Sequence, residues 1–205
     1  KRIDQIRSLT DFESVIRTST LFNSPFADES LSASGRFQRR FGKLQATLRG
    51  TLSYQKFNQF IQGQQSVNEN YNQSHRAGFR TNFRKAPNVE INYDYTISDN
   101  DQGATRNKFF TNAPSIEFDA LIWNAFTFRT DYSYNSLSDE DGVLNSFEFW
   151  NASLSYRKNQ DAKLEYQVRA TNLLDTKSQA QSSNSAFSVS ATEYFIQPRF
   201  VTFRL

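Results

Sequence analysis

The chain has 205 residues, with 24 Lys and Arg against 21 Asp and Glu, a single His, and neither Cys nor Met. The lack of cysteine excludes disulfide bonds and thiolate chemistry, and the slight, evenly spread positive charge is unlike the clustered basic face of a nucleic-acid-binding protein. The longest apolar run, residues 120–123, is far shorter than the ~20 residues that a membrane-spanning helix needs.

Apolar and polar residues alternate at period two along most of the chain, which predicts about ten β-strands. Residues 1–9 show no pattern and stay unassigned, and residues 21–30 are expected to form a loop. The alternation is clearest over residues 43–54, and the two runs of residues 76–98 form a hairpin around Pro87. The predicted strands are residues 10–20, 31–38, 43–54, 76–84, 89–98, 110–118, 126–134, 150–157, 163–170 and 192–205.

The connections between these strands alternate between short and long. Short breaks are expected near Gly42, Pro87, Trp123 and Gln160, and Pro114 should mark a bulge or a strand end. Outer-membrane barrels have short turns at one rim and long loops at the other, and runs of ten or more residues suit the ~9–11 that cross a bilayer. Soluble strands are usually ~5–6 residues long. The long polar loops are predicted at residues 62–72, 99–107, 136–145 and 176–190.

The sequence therefore predicts an antiparallel transmembrane β-barrel, an all-β fold whose apolar face meets lipid. A mean hydropathy of −0.69 does not exclude it, because half of the strand residues in such a barrel face a polar interior. The residues predicted to face lipid include Leu48, Phe79, Ile91, Phe128 and Leu164. Those predicted to line the interior are Arg49, Arg80, Glu90, Asp94, Glu117, Asp119, Arg129, Asp131, Lys163, Glu165 and Arg169. An aromatic girdle at headgroup level is predicted from Tyr54, Trp123, Tyr132 and Trp150.

The C-terminal part of the chain resembles a known family. The Asn172-Leu173-Leu174-Asp175 segment is similar to the N-L-F-D segment near the end of TonB-dependent outer-membrane transporters, and residues 197–205 resemble their last strand, with a Pro198-Arg199 step. Two features depart from that pattern: the chain stops at Leu205 instead of Phe or Tyr, and the glycine of the final strand is absent. The aromatic, cysteine-free composition also looks like that of Bacteroidota-type barrels.

This resemblance implies a 22-stranded barrel filled by an N-terminal plug. Residues 1–205 would then be the C-terminal part of one barrel domain, with the plug and the TonB-binding segment encoded upstream. The implied partners are outer-membrane lipid, the plug of the same polypeptide, a TonB-type energy-transducing system, and surface lipoproteins or other outer-membrane subunits. The implied location is the outer membrane of a Gram-negative bacterium.

Three classes of function follow. The first is a receptor or transporter for uptake of a nutrient ligand, which would bind at the predicted long loops. The second is a non-transporting barrel that serves as a scaffold subunit of an outer-membrane complex, and the third is a soluble carbohydrate-binding β-domain. An enzyme is not expected, because no acid, base and nucleophile come together, and no cofactor or catalytic residue is predicted.

Two motifs could indicate a site and are interpreted as structural. His75, the only histidine, has no nucleophile motif near it and is expected to lie at the rim of the sheet. The acidic runs 99–101 and 139–142 resemble parts of calcium loops, but neither completes the D-x-[DN]-x-[DN]-G-x₅-E pattern. No metal site is predicted, and the charges of both signs in the interior are expected to pair across neighbouring strands.

Overall fold

The computed structural model describes residues 5–13, 16–24, 28–61, 64–84, 87–103, 105–158, 162, 164–184 and 189–205. Every regular element in these residues is a β-strand, so the all-β prediction is confirmed. The strands are β1 (Gln5–Glu13), β2 (Ile16–Ser24), β3 (Glu29–Phe41), β4 (Leu44–Ile61), β5 (Gln64–Thr81), β6 (Asn88–Asp101), β7 (Arg106–Ile122), β8 (Phe126–Ser138), β9 (Val143–Tyr156), β10 (Tyr166–Thr171), β11 (Ser178–Asn184), β12 (Val189–Phe195) and β13 (Phe200–Arg204).

Nine strands form one antiparallel sheet in the order β3-β4-β5-β6-β7-β8-β9-β10-β13. Strands that follow one another in the chain are neighbours, except that the β11–β12 hairpin is inserted before β13. The β1–β2 hairpin joins β4 through a short parallel contact in which Leu9 and Thr10 pair with Phe60 and Ile61. In the part of the chain that is described, β3 and β13 each pair with one strand only, so the sheet is open.

Two predicted strands at the ends of the chain are wrong in their extent. The predicted strand of residues 10–20 contains a reversal, because β1 ends at Glu13 and β2 begins at Ile16 in an antiparallel pair. The predicted strand of residues 192–205 is divided between β12 and β13. Residues 196–199 belong to neither strand, and Pro198 has no backbone N–H to donate to a ladder.

The predicted long loops are the main correction to the topology. Residues 62–72 were expected to be a loop, yet the β4–β5 ladder continues without a register shift to the pair Ile61 and Gln64. Asp99 likewise pairs with Lys108, and most of residues 136–145 and 176–190 belong to strands. Amide and hydroxyl side chains do not stop a strand when its backbone can still pair, so the polar segments are strand extensions joined by short connections.

The short breaks lie where they were predicted, within the described residues. Gly42, with φ of 61°, joins β3 to β4. Trp123 and Asn124 have φ of 51° and 57°, and Ala125 N–H donates to the Ile122 carbonyl at 3.2 Å. Two left-handed central residues make a type I′ turn, whose twist matches that of the flanking strands. The break near Gln160 lies outside the described residues.

Pro114 is neither a bulge nor a strand end, contrary to the prediction. It lies inside β7, opposite Tyr93 of β6, and the register with β8 is the same on both sides of it. Pairing with β8 is interrupted at Ala113 and Pro114. Proline has no backbone N–H, so the hydrogen bonds to β8 are lost at this point only. The register is kept because the long paired segments on both sides fix the position of the strand.

Candidate functional site on the two faces of the sheet

One face of the sheet is apolar and has no cover. Cross-strand partners share a face, so the registers place these side chains together. Ala120 is the only buried apolar residue among those the structure describes. Soluble monomers rarely expose contiguous apolar patches of more than a few hundred Å². This apolar face includes the exposed side chains of Leu31, Phe37, Leu48, Leu52, Phe79, Ile91, Ile116, Leu154, Val168 and Phe203.

Aromatic side chains lie at both ends of the apolar face. At the end with the short turns, Phe126 and Tyr156 have ring centroids 4.8 Å apart, and Trp123 is 84% exposed at the turn itself. At the other end of the face, Tyr54 and Tyr71 lie 4.6 Å apart. Tyr132 and Trp150 are also directly paired, and the indole of Trp150 donates to Thr130 Oγ1 at 2.8 Å. Of the four residues predicted as a girdle, Trp123 lies at the end with the short turns and Tyr54 at the other end, whereas Tyr132 and Trp150 lie within β8 and β9, six residues along each strand from Phe126 and Tyr156.

The width of the apolar face follows from the strand geometry. Leu44 begins β4, and Tyr54 lies ten residues further along the same face. Ten residues extend ~34 Å along a strand, or ~24 Å across a layer when the strand is tilted by ~45°. The positions of the short turns indicate this tilt. Val89 lies at the start of β6, next to one short turn, and pairs with Phe118 of β7. β7 continues four residues beyond Phe118, to Ile122, before the next short turn, so successive turns are displaced along the strand direction.

Beyond Tyr54 and Tyr71 the same face becomes charged. Lys56 Nζ lies 3.2 Å from Glu69 Oε1. The guanidinium of Arg106 donates to both oxygens of the Asp99 carboxylate, at 2.9 and 2.6 Å. Asp99 is buried and its charge is matched by this bidentate pair, a geometry that strengthens an ion pair. The long strands therefore have an apolar section followed by a section that is polar on both faces.

The opposite face is polar and carries the charges that the sequence predicted to share one side. The predicted residues whose registers place them on this polar face are Arg49, Arg80, Glu90, Asp94, Glu117, Asp119, Arg129, Asp131 and Arg169. Glu165 lies just before β10, where its carboxylate accepts a hydrogen bond from Arg157 at 2.7 Å. Lys163 lies outside the described residues.

The expected pairing of opposite charges on this face is only partly correct. Arg76 and Asp94 form a bidentate pair at 2.5 and 2.9 Å. Two rows instead place like charges side by side, which is unfavourable. These rows are Arg36, Arg49 and Arg76 across β3, β4 and β5, and Glu90, Glu117 and Asp131 across β6, β7 and β8.

The arginine row borders a depression on the polar face. Its floor is formed by Thr47 and Gly78, which are paired across β4 and β5, and Gly78 has no side chain to fill the space. The other lining residues are Arg36, Gln45, Arg49, Arg76, Phe79, Arg80, Glu90 and Asn92. The alternation of the sequence is enough to place Arg36 and Arg76 on the polar face. Only the strand register brings them next to Arg49.

Asn172, the first residue of the N-L-L-D segment, holds the turn after β10 together. It is 2% exposed, and its side-chain amide donates to the carbonyls of Thr176 and Gln197 at 2.9 and 3.0 Å. Its side-chain oxygen accepts the Thr176 N–H at 2.9 Å, and its own N–H donates to Asn151 Oδ1. Its φ of 54° is left-handed, a conformation that Asn tolerates better than most residues. The segment therefore ties β10 to the start of β13.

Asp175, the last residue of that segment, also connects the turn after β10 to the residues that precede β13. Its carboxylate accepts hydrogen bonds from Lys177 Nζ and, at 3.2 Å, from the backbone N–H of Arg199. The hydrogen bond from Lys177, followed by that from Arg199, lowers the pKa of Asp175 below its ordinary value. The N-L-L-D segment is thus a structural clasp in the described part of the chain.

His75 does not lie at the rim, as predicted. It is in the interior of β5 on the apolar face, between Gly50 of β4 and Tyr95 of β6. A Cβ atom on Gly50 would lie 3.6 Å from His75 Nδ1, so the ring lies over the space that the glycine leaves.

The acidic runs are engaged in other contacts. Asp99 binds Arg106, and the Asp139 carboxylate accepts the backbone N–H groups of Asp141 and Gly142 at 2.9 and 3.0 Å. Within the described residues, no group of three or more His, Cys, Asp or Glu side chains could hold a metal ion. The described part of the chain also contains no helix that is long and apolar enough to cross a membrane.

Comparison with known proteins found no match to a family model, to a curated protein or to a solved structure.

Proposed function

We propose that this chain is part of the wall of an outer-membrane β-barrel that takes up a nutrient ligand in a TonB-dependent manner. The uncovered apolar face between two aromatic ends is the main observation in favour. A lipid-exposed barrel face has an apolar band ~25 Å tall between girdles of aromatic residues, and the apolar section of β4 corresponds to ~24 Å at a 45° tilt.

The open edges of the sheet also favour a larger assembly. An unpaired strand edge has unsatisfied N–H and C=O groups, which cannot remain free in lipid. In the described residues, β3 and β13 each have one free edge. Further strands of the same barrel would pair with them, and the polar face would then line a water-filled interior beside a plug.

The transport part of the proposal is supported by the resemblance at residues 169–175 and 197–205. The partners would be lipid, a plug of the same polypeptide, the energy-transducing TonB-type system, and surface lipoproteins or other outer-membrane subunits. Ligand contact at residues 62–72, 99–107, 136–145 and 176–190 remains a prediction. Most of these residues belong to extensions of the strands and not to loops.

The position of the membrane is tested by spin labels on single cysteines, since the chain has none of its own. Leu154→Cys lies on the apolar face and Ser153→Cys, the adjacent matched control, on the polar face. In the full-length protein in lipid vesicles, the label at 154 should be accessible to oxygen and protected from a water-soluble nickel chelate, with the reverse at 153. Protection of the label at 154 from both reagents would mean that protein covers this face and would contradict the proposal.

Transport is tested in the organism with a deletion strain and its complemented control. Uptake of a panel of oligosaccharides, peptides and ferric chelates should fall for one class in the deletion strain, and a protonophore should abolish the same uptake in the wild type. Unchanged uptake across the panel, together with stoichiometric co-purifying outer-membrane proteins, would instead support the scaffold function.

A further inference from the structure

We propose that the arginine-lined depression on the polar face is a binding site for a small ligand with at least two oxyanion groups, such as linked phosphates or carboxylates. The site comprises Arg36, Arg49, Arg76 and Arg80, around a floor of Thr47 and Gly78.

The depression carries more positive charge than its neighbouring carboxylates offset. Arg76 pairs with Asp94, and Arg80 lies 3.5 Å from Glu90, so two of the four arginines have a carboxylate. Arg49, between two arginines in the row, has neither an ion pair nor a hydrogen bond with any described residue. Adjacent like charges are unfavourable, and a bound anion would offset this cost.

The hydrogen-bond donors of the arginine row are arranged to reach more than one anionic group. Neighbouring strands lie ~4.8 Å apart, so the guanidinium groups of Arg36, Arg49 and Arg76 extend over roughly 10 Å. Each guanidinium presents a planar set of N–H donors that matches a carboxylate or phosphate. A ligand with two or more oxyanion groups can reach several of them at once. Gln45 adds a side-chain amide that can donate to the remaining oxygens.

The depression has room for a small ligand above Gly78. Gly78 faces the depression between Thr47 and Asn92, and a Cβ atom there would lie 2.8 Å from Asn92 Oδ1. A larger residue would push Asn92 aside and fill the floor, so glycine keeps the depression open. The carboxylates of Glu117 and Asp131, neither of which has an ion pair with a described residue, lie further across the sheet and give the face an acidic side that repels an anion toward the arginines.

This inference rests on the proposed function in one respect: the polar face must be open to water so that a ligand can reach the arginines. The experiment uses the full-length protein in detergent micelles at low salt and titrates it with inorganic pyrophosphate or with citrate in a calorimeter. The wild type should bind at least one of these anions, and the stronger of the two identifies phosphate or carboxylate as the preferred group. Failure of both to bind would overturn the proposal.

The variants decide whether the site is the one described. Arg49→Gln should raise the dissociation constant about tenfold or more, which is the effect of losing one charge-assisted hydrogen bond. Arg129→Gln is the matched control: it removes an arginine on the same face that has no ion pair with a described residue and borders a different depression. An equal loss in both variants would indicate binding by net charge alone and contradict the site.

A third variant separates the charge of Arg49 from its planar set of donors. Arg49→Lys keeps the charge but loses the planar donor set, so it should fold and bind several-fold more weakly than the wild type. Wild-type affinity in Arg49→Lys, with a folded protein, would remove Arg49 from the site. The labels at positions 153 and 154 report the membrane separately. A protein that binds pyrophosphate through Arg49 but shows no lipid-exposed face would retain this inference and lose the proposed function.

Discussion

Arg49 lies directly opposite Arg76 in the β4–β5 ladder, and the carboxylate of Asp94 binds Arg76 from the other side while Arg49 has no ion pair with a described residue. The sheet therefore holds two neighbouring positive charges and a single counterion, which lies beside Arg76 and away from Arg49. This relationship gives opposite expectations for two chemically identical substitutions.

Replacing Arg49 by Gln should raise the free energy of unfolding by ~0.2–1 kcal/mol, because it removes repulsion between directly opposed charges. Replacing Arg76 by Gln should lower it by up to ~1 kcal/mol, a small effect because this pair is partly exposed to solvent. The midpoint of urea unfolding in lipid vesicles measures both. A free energy of unfolding that is lower in Arg49→Gln than in the wild type would show that the row is not repulsive.

Replacing Asn172 by Ala should destabilise the fold by ~2–4 kcal/mol. The side chain is almost fully buried and bonds Thr176 and Gln197, and each buried group left without a partner costs ~1–3 kcal/mol. Urea unfolding measures the loss. Asn145→Ala, at a half-buried position whose side chain has no hydrogen bond to a described residue, is the control and should change stability by less than ~0.5 kcal/mol. Equal effects at the two positions would exclude the clasp.

The clasp at Asp175 should weaken in acid. Its pKa is lower in the folded protein than in the unfolded chain, so folding favours the ionised carboxylate. The stabilisation is complete above the unfolded value of about 3.9 and is lost as pH falls through the lower folded value. The protection of the Arg199 amide against hydrogen exchange, measured relative to an unstructured chain at the same pH, should fall below about pH 4, because this amide donates to the carboxylate. In Asp175→Asn this fall should be absent; the same fall in the variant would assign it to another group.

Trp123 should lie in the lipid interface although it is 84% exposed in the chain itself. The chain has two tryptophans, so Trp150→Phe leaves Trp123 as the only indole. Its emission should be blue-shifted in vesicles and quenched by brominated lipids, because indole rings are favoured at headgroup level. Trp123→Phe reports Trp150 in the same way. Emission from Trp123 that resists brominated lipid and responds to aqueous acrylamide would place this turn in water.

Strand type and the composition of the two faces could be predicted from the sequence. Alternation over residues 43–54 and 76–98 needs no knowledge of neighbours, because side chains in an extended chain always point to opposite sides. The turns at Gly42 and Trp123 were also predictable, since they interrupt that alternation. The pattern failed at residues 62–72 and at Pro114, where pairing with neighbouring strands decides whether the backbone stays extended.

The sequence by itself determined that this protein is a chain of long, two-faced strands with short turns, because local alternation and turn residues are properties of neighbouring positions. Only the tertiary structure decided that Arg36, Arg49 and Arg76 lie side by side, and that Asn172 reaches Gln197. The physical reason is register: parity assigns a residue to a face, but the hydrogen-bonded ladder chooses which residues from distant parts of the chain become neighbours on it.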